Sequence, residues 1–345
     1  MKVYFASYPS IFLNRGGPTY KIFHLKKALE QLGVEVKLFD PWDEKLKINR
    51  DELVHIFNAS LATYTLACNL HDYGARFVVN PIFFSNHRAT AIRRYLWLEK
   101  IAGKVLKRSS SDYFFTARIC ELAAAVLPNT SEEAALLEKG LGIAPEKMMI
   151  WPNGVEARFH QADPGLFRQK FGISDFVLYV GHLGPVRKNG LNILRALQGL
   201  DVPAVVIADI LNTPEGEQCR SLLKESSNIL FIPWLDHDDP LLESAYAACR
   251  TFVLATRYET PGRAALEAAL AGAGIVITPY GGTRDYFQDM ALYAEPDDIR
   301  DIRRKVILSL ESPKDNTLRE HILARFTWEI IARDTLAIYK KLLDQ

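Results

Sequence analysis

The chain has 345 residues and is 48% hydrophobic, a size and composition that suit two packed domains. A formal net charge of +1 removes any global electrostatic pull toward nucleic acid, so no nucleic-acid partner is expected. Four scattered cysteines, Cys68, Cys120, Cys219 and Cys249, form neither a C-x-x-C pair nor a disulfide framework, which points to a reducing cytoplasm.

The chain opens as a strand over 3–7 rather than as a signal peptide. A glycine-rich loop follows, then a helix over about 18–31 and a strand over 34–39. Strands over 54–57 and 76–79 flank a helix near 61–70. A strand over 124–128 leads into a helix over 131–139, capped by Thr130 or Ser131, and 147–151 reads as the next strand. The pattern then restarts with a strand over 176–180 and a helix over 192–198. Strands over 205–208, 229–232 and 251–255 follow with helices between them, then a strand over 274–278 and a helix over 284–290. Residues 327–343 form a long amphipathic helix carrying Trp328, Ile331, Leu336, Tyr339 and Leu342. Short β-branched or aromatic runs alternating with helical patterns predict an α/β fold of two Rossmann-like, doubly wound parallel sheets. No run approaches the ~18 apolar residues that span a bilayer, so any membrane contact is expected to be peripheral.

Open parallel sheets bind ligands beyond the carboxyl ends of their strands, and four loops fall there. The first is Asn14-Arg15-Gly16-Gly17-Pro18-Thr19; its glycines admit an anion close to the backbone, and Pro18 starts the helix behind it. A tight turn explains this loop equally well. The second runs Gly181-His182-Leu183-Gly184-Pro185-Val186-Arg187-Lys188, where adjacent cations suit a pyrophosphate and a solvated basic turn is the plain alternative. The third is Glu259-Thr260-Pro261-Gly262, followed by an alanine- and leucine-rich helix containing Glu267. Here Thr260 suits a helix cap and Pro261 the first helical position. Glu267 has apolar neighbours nearly all round, so a buried carboxylate is expected, its donors supplied by a ligand's hydroxyls. The fourth is Pro279-Tyr280-Gly281-Gly282-Thr283-Arg284-Asp285.

These pieces, in this order, resemble the group 1, family 4 glycosyltransferases of GT-B fold. Gly16-Gly17, Pro128 to Glu132, Trp151 to Phe159, Val180 to Lys188, the Glu259–Glu267 pair, Gly281-Gly282 and Phe326 to Glu329 carry the likeness. The resemblance implies an acceptor domain over 1–160, completed by a C-terminal helix over 327–345 that crosses back to it, and a nucleotide-sugar domain over 161–326, the two facing a central cleft. It implies that Glu267 contacts ribose hydroxyls, that Glu259 faces the donor sugar, and that Lys188 holds the diphosphate. Gly16, Gly17, Gly181, His182, Thr260, Pro261, Gly262, Gly281 and Gly282 then line the donor. The implied reaction is retaining, needs no metal and no cofactor beyond a nucleoside-diphosphate sugar, and ends on a glycan, lipid-linked or small-molecule hydroxyl. His182 stands where the family has arginine, and Arg187 is expected to compensate. Asn80 stands where a first-domain histidine is common, Asp285 where glutamate is usual and Pro261 where an aromatic is common.

Asn80, His55 and Asn58 are further candidates for the acceptor or sugar cleft, although a strand-end histidine satisfied by its neighbours explains His55 as well. His71-Asp72 reads as a helix end, and His237-Asp238-Asp239 as a surface turn behind Trp234, which suits a place near the nucleotide base. Residues 86–109 hold Arg88, Arg93, Arg94, Lys100, Lys104, Lys107 and Arg108 against Glu99 alone. They suit either a peripheral contact with an anionic membrane, at its inner face for a cytoplasmic protein, or a solvated helix face. Two rival functions fit the same residues: a nucleotide-sugar epimerase, and a non-catalytic descendant that binds a glycan or a partner.

Overall fold

The computed structural model describes residues 1–13, 16–102 and 110–344. The expected Asn14 and Arg15 of the first loop, and Lys104, Lys107 and Arg108 of the basic segment, lie outside them. The chain divides into two compact units, Met1–Gly154 with Trp328–Gln345, and Val155–Thr327.

The first unit holds a five-stranded parallel sheet. Its strands are β1 (Lys2–Ser7), β2 (Glu35–Leu38), β3 (Leu53–Phe57), β4 (Phe77–Asn80) and β5 (Ala125–Val126), in the order β2-β1-β3-β4-β5. The central strands β3 and β4 are buried along their whole length, as a parallel sheet covered on both faces requires. The helix Trp328–Leu343 completes this unit from the far end of the sequence. It buries Trp328, Ile331, Ala332, Thr335, Tyr339 and Leu342, one stripe at helical spacing, and packs on the helix Gly17–Gln31. Trp151 Nε1 donates to Thr335 Oγ1 at 2.8 Å and fixes the register of that packing.

The second unit holds a six-stranded parallel sheet. Its strands are β6 (Val177–Leu183), β7 (Ala204–Ile210), β8 (Ile229–Pro233), β9 (Thr251–Leu254), β10 (Gly274–Ile277) and β11 (Leu292–Tyr293), ordered β11-β10-β9-β6-β7-β8. Counted from β6 this is the 3-2-1-4-5-6 Rossmann order, and the first sheet has the 2-1-3-4-5 order. The two doubly wound parallel sheets expected from the sequence are therefore present. In the second, strand order reverses between β6 and β9, the position at which open α/β sheets generally bind ligands.

Several local expectations are corrected. Residues 147–151 are not a strand: Pro145–Lys147 is a 3₁₀ turn, and Met148 makes only an isolated bridge to Val126. The helix after Thr130 is α-helical over Ser131–Leu136, then widens to a π turn over Leu137–Leu141 that Gly142 ends at φ 80°. Thr130, not Ser131, is its cap, accepting from Glu133 N. The helix Leu61–Tyr73 does end just beyond His71-Asp72, as expected, but its cap is Gly74, at a left-handed φ of 77°.

Candidate active site

The basic turn follows β6 and the Glu259 loop follows β9, so both emerge at the reversal point of the second sheet. Val186–Lys188 forms a 3₁₀ turn held by Asn189, which adopts the left-handed region at φ 55°. Asn189 is buried, and its Nδ2 donates to Ala255 O at 2.8 Å and Pro296 O at 2.6 Å. That pin ties the turn to the end of β9. The result is a compact charge cluster: Lys188 Nζ and Arg187 Nη1 both donate to Glu259 Oε1, at 2.6 and 3.0 Å. Arg187 also donates to Tyr258 O at 3.2 Å. Glu259 is 7% exposed. Burial pushes its pKa up, but the Lys188 and Arg187 charges and hydrogen bonds together outweigh this and hold it below the ordinary carboxylate value. Two cations against one carboxylate leave one positive charge in excess, suited to an anion.

The loop after β10 braces the same carboxylate. Glu259 N donates to Tyr280 O at 3.0 Å, and Thr260 Oγ1 donates to Gly281 O at 3.1 Å. Gly281, at φ 94°, leaves no room for a side chain: a Cβ there would lie 2.4 Å from Glu259 O. Thr260 is thus occupied across the loop and is not the helix cap. After the cis Thr260–Pro261 bond, Gly262 takes the N-cap position at φ 84° and the helix spans Arg263–Leu270. The helix Gly190–Leu197 begins on the same side of the sheet, and both N-termini favour negative charge there.

Glu267 lies inside the helix Arg263–Leu270 and is 2% exposed, as expected. Its donors come from the protein itself rather than awaiting a ligand. Tyr246 Oη donates to Oε2 at 2.8 Å, while His237 Nε2 and Arg263 Nε lie 2.9 and 3.2 Å from Oε1. Burial raises the Glu267 pKa, and Arg263, His237 and Tyr246 together bring it below the usual value. His237 is accordingly no surface residue: it is 6% exposed and also lies 3.4 Å from Glu156 Oε2. Arg158, paired with Glu156 and Glu243, donates to the His237 carbonyl at 2.9 Å. The sequence offers no sign of His237 or Tyr246 as partners of Glu267, because 30 and 21 residues separate them from it.

At the ends of β6 and β8, the His182 and Trp234 rings stand 5.0 Å apart. Trp234 is 42% exposed. Tyr179 Oη donates to His182 O at 3.0 Å and approaches Gly181 closely. Burial lowers the His182 pKa, which Asp209 opposes. Gly282, at φ 93°, precedes the short helix Thr283–Phe287 containing Asp285.

In the first unit the candidates separate. Gly16 caps the helix Gly17–Gln31 with open space around both glycines. Asn58 is half-buried at φ 82°. His55 and Asn80, in contrast, are fully buried and line no accessible surface. His55 Nδ1 lies 2.6 Å from Tyr339 Oη, with the imidazole stacked on Phe57 at 4.1 Å. Asn80 Nδ2 donates to Leu127 O at 2.6 Å and to Asn129 Oδ1 at 3.2 Å. The same Asn129 oxygen accepts from buried Lys21 at 2.5 Å, and Asn129 N donates to Glu133 at 2.7 Å. Lys21 also lies 3.9 Å over the Trp151 ring. Burial lowers the Lys21 pKa, opposed by the Glu133 charge. A lysine four residues before Leu25, on the helix's apolar stripe, was the available signal for this network.

Residues 167–322 match the family described as glycosyl transferases group 1. Over 194 residues the chain is 29% identical to the O-antigen chain mannosyltransferase B of Escherichia coli, covering 52% of this chain and 49% of that protein. Over 235 residues it is 26% identical to a D-inositol 3-phosphate glycosyltransferase of Geodermatophilus obscurus, covering 62% and 52%. The chain thus spans about half the length of the curated relatives it matches. In fold it is similar to sucrose-phosphate synthase from Thermosynechococcus elongatus, with a TM-score of 0.77 at 18% identity over 100% of this chain and 99% of that one. Its architecture is GT-B.

Proposed function

We propose that this chain, a GT-B protein related to the family 4 glycosyltransferases, moves a sugar from a nucleoside-diphosphate donor to an acceptor hydroxyl with retention at the anomeric carbon. The observation that carries the reading is the Lys188–Glu259–Arg187 cluster at the strand-order reversal of the second sheet. An incoming diphosphate competes with Glu259 for the two cations. Lys188 and Arg187 then stabilise the charge that develops on the leaving nucleoside diphosphate, and the N-termini of the two helices add to it. That assigns charge neutralisation to side chains rather than to a metal ion. Glu259, released toward the donor sugar, orients it. Gly181, Thr260, Pro261, Gly262, Gly281 and Gly282 let the donor approach the backbone.

Glu267 is assigned to the ribose. Tyr246 and His237 hold it in one rotamer, and a ribose hydroxyl replaces Arg263, its longest-range donor. The Trp234 ring, exposed beside His182, is assigned to the face of the base. The first unit is assigned to the acceptor, a glycan, a lipid-linked sugar or a small molecule. A cytoplasmic protein, peripheral at the inner face of the membrane, is the matching location.

Thermal shift with uridine, guanosine, adenosine, cytidine and thymidine diphosphates tests the site. One of them at ~100 times its dissociation constant should stabilise the protein by about 2.7 kcal/mol. Lys188→Met should abolish the shift. Glu267→Ala should weaken binding, and Glu259→Ala should lower turnover more than binding. If none of the five raises the melting temperature, the donor site is misassigned. Donor conversion that needs no acceptor would instead make the protein an epimerase.

A further inference from the structure

Three neighbouring strands of the second sheet, β6, β7 and β8, end level with one another. His182 on β6 is in register with Asp209 on β7, and Ala208 with Pro233 on β8, so Asp209 and Trp234 each stand one residue further on. Level residues in parallel strands point to the same face, which sets His182 and Asp209 side by side. The His182 and Trp234 rings come within 5.0 Å of each other, although β7 lies between their strands. The end of β7 is held in place: Leu211 N donates to Leu183 O at 2.9 Å, and Thr213 Oγ1 to Gly184 O at 3.1 Å. Asp209 is therefore an exposed carboxylate on a fixed strand end, next to two aromatic rings.

Among the described residues no hydrogen bond or ion pair engages the Asp209 carboxylate. Its neighbour His182 leaves it free: burial holds the imidazole below its ordinary pKa against the pull of Asp209, so the ring is uncharged near neutrality. The Lys188 and Arg187 charges act on the same ring in the same direction as burial. The diphosphate cations and Asp209 are thus both felt at one side chain, within the span of a nucleotide.

We propose that Asp209 reads the edge of the donor's base and that this base is guanine. The inference rests on the reading above, in which Lys188 and Arg187 take the diphosphate and Trp234 the face of the base. A base lying on the indole turns its hydrogen-bonding edge, not its face, toward a group beside the ring. A carboxylate there can only accept, through two oxygens side by side. Guanine offers two adjacent donors, N1–H and the N2 amino group, one for each oxygen. Adenine and cytosine set one amino donor beside a ring nitrogen whose lone pair repels the second oxygen. Uracil and thymine flank a single N–H with two carbonyls. Guanine alone satisfies both oxygens without repulsion.

Calorimetry on the full chain with guanosine, inosine, uridine, adenosine, cytidine and thymidine diphosphates tests it. Guanosine diphosphate should bind about tenfold or more tightly than any of the others. Inosine differs from guanosine only in lacking the N2 amino group. Losing that one hydrogen bond to a charged acceptor should weaken binding about ten- to a hundredfold. Asp209→Ala should bring guanosine and inosine diphosphates to equal affinity without weakening uridine diphosphate. Asp236→Ala removes the next exposed acid beyond Trp234 and should keep the preference of the unaltered chain. Circular dichroism and the melting temperature without ligand report that both variants are folded. Tightest binding of another diphosphate, equal binding of guanosine and inosine diphosphates, or a preference that survives in the Asp209 variant would overturn the proposal and leave the donor site standing. If none of the six binds, the donor site itself is misassigned and the inference falls with it.

Discussion

Gly281 and Glu259 illustrate how a single methyl group would reach the chemistry. A Cβ on Gly281 would meet the Glu259 carbonyl and amide at 2.4 and 2.8 Å, backbone atoms that cannot swing aside. The left-handed φ of 94° adds about 1–2 kcal/mol of its own for any other residue. Gly281→Ala should therefore lower the melting temperature by several degrees. It should also weaken nucleoside-diphosphate binding at least tenfold by shifting the loop that presents Glu259, as calorimetry would read. A second prediction concerns acid. Because the folded-state pKa of Glu259 lies below its unfolded value of about 4.3, its contribution is present above that pH and lost as pH falls through the depressed value. The stability gap between the unaltered chain and Glu259→Gln should be widest near neutrality and narrow progressively as pH falls below about 4.3, measured by urea unfolding. Glu267 is legible in the sequence because apolar neighbours nearly all round mark a buried carboxylate, and Glu259 because it stands in the loop just before that helix. Their partners are only half legible. Arg187 and Lys188 sit in a recognisable basic turn, whereas Tyr246 and His237 look like any helix tyrosine and any turn histidine until the chain folds.

At the scale of elements, the parallel strands were the easiest to read because burial on both faces makes them continuous apolar runs. The two-residue strand β11 carried no such run, being only half-buried at the sheet edge. The Thr260–Pro261 pair imitates a cap followed by a first-turn proline, and only the tertiary bond from Thr260 to Gly281 moves the helix start to Arg263. His55 reads as a ligand-facing strand end, yet β3 is central, so both faces of its residues are covered. The returning helix gives a sharper test. A Cβ on Gly154 would lie 2.5 Å from the Trp328 ring, which is 6% exposed and stacked 5.9 Å from His24. Gly154→Ala should cost about 1–3 kcal/mol by overpacking, seen as a shifted denaturant midpoint with an unchanged slope.

For the molecule as a whole, the two units differ in how the chain builds them. Residues 155–327 are one continuous stretch with a core of their own, from Phe176 and Tyr179 to Phe287 and Val306. Expressed alone, that stretch should fold cooperatively and bind the same nucleoside diphosphate as the full chain, since Lys188, Arg187, Glu259 and Glu267 all lie within it. Failure of the fragment to bind while the full chain binds would mean that the first unit supplies part of the donor site. Residues 1–154 alone should aggregate, because the stripe of Gly17–Gln31 that packs on the terminal helix would face water.

Such a division also fixes an order of events during synthesis. The ribosome delivers the strands of the first sheet early, but Trp328, Ile331 and Tyr339, which close over them, emerge only after the whole second unit has been made. The earlier-born half must wait, open along one side, while the later-born half finishes, and the nascent protein would need shielding by chaperones over that interval.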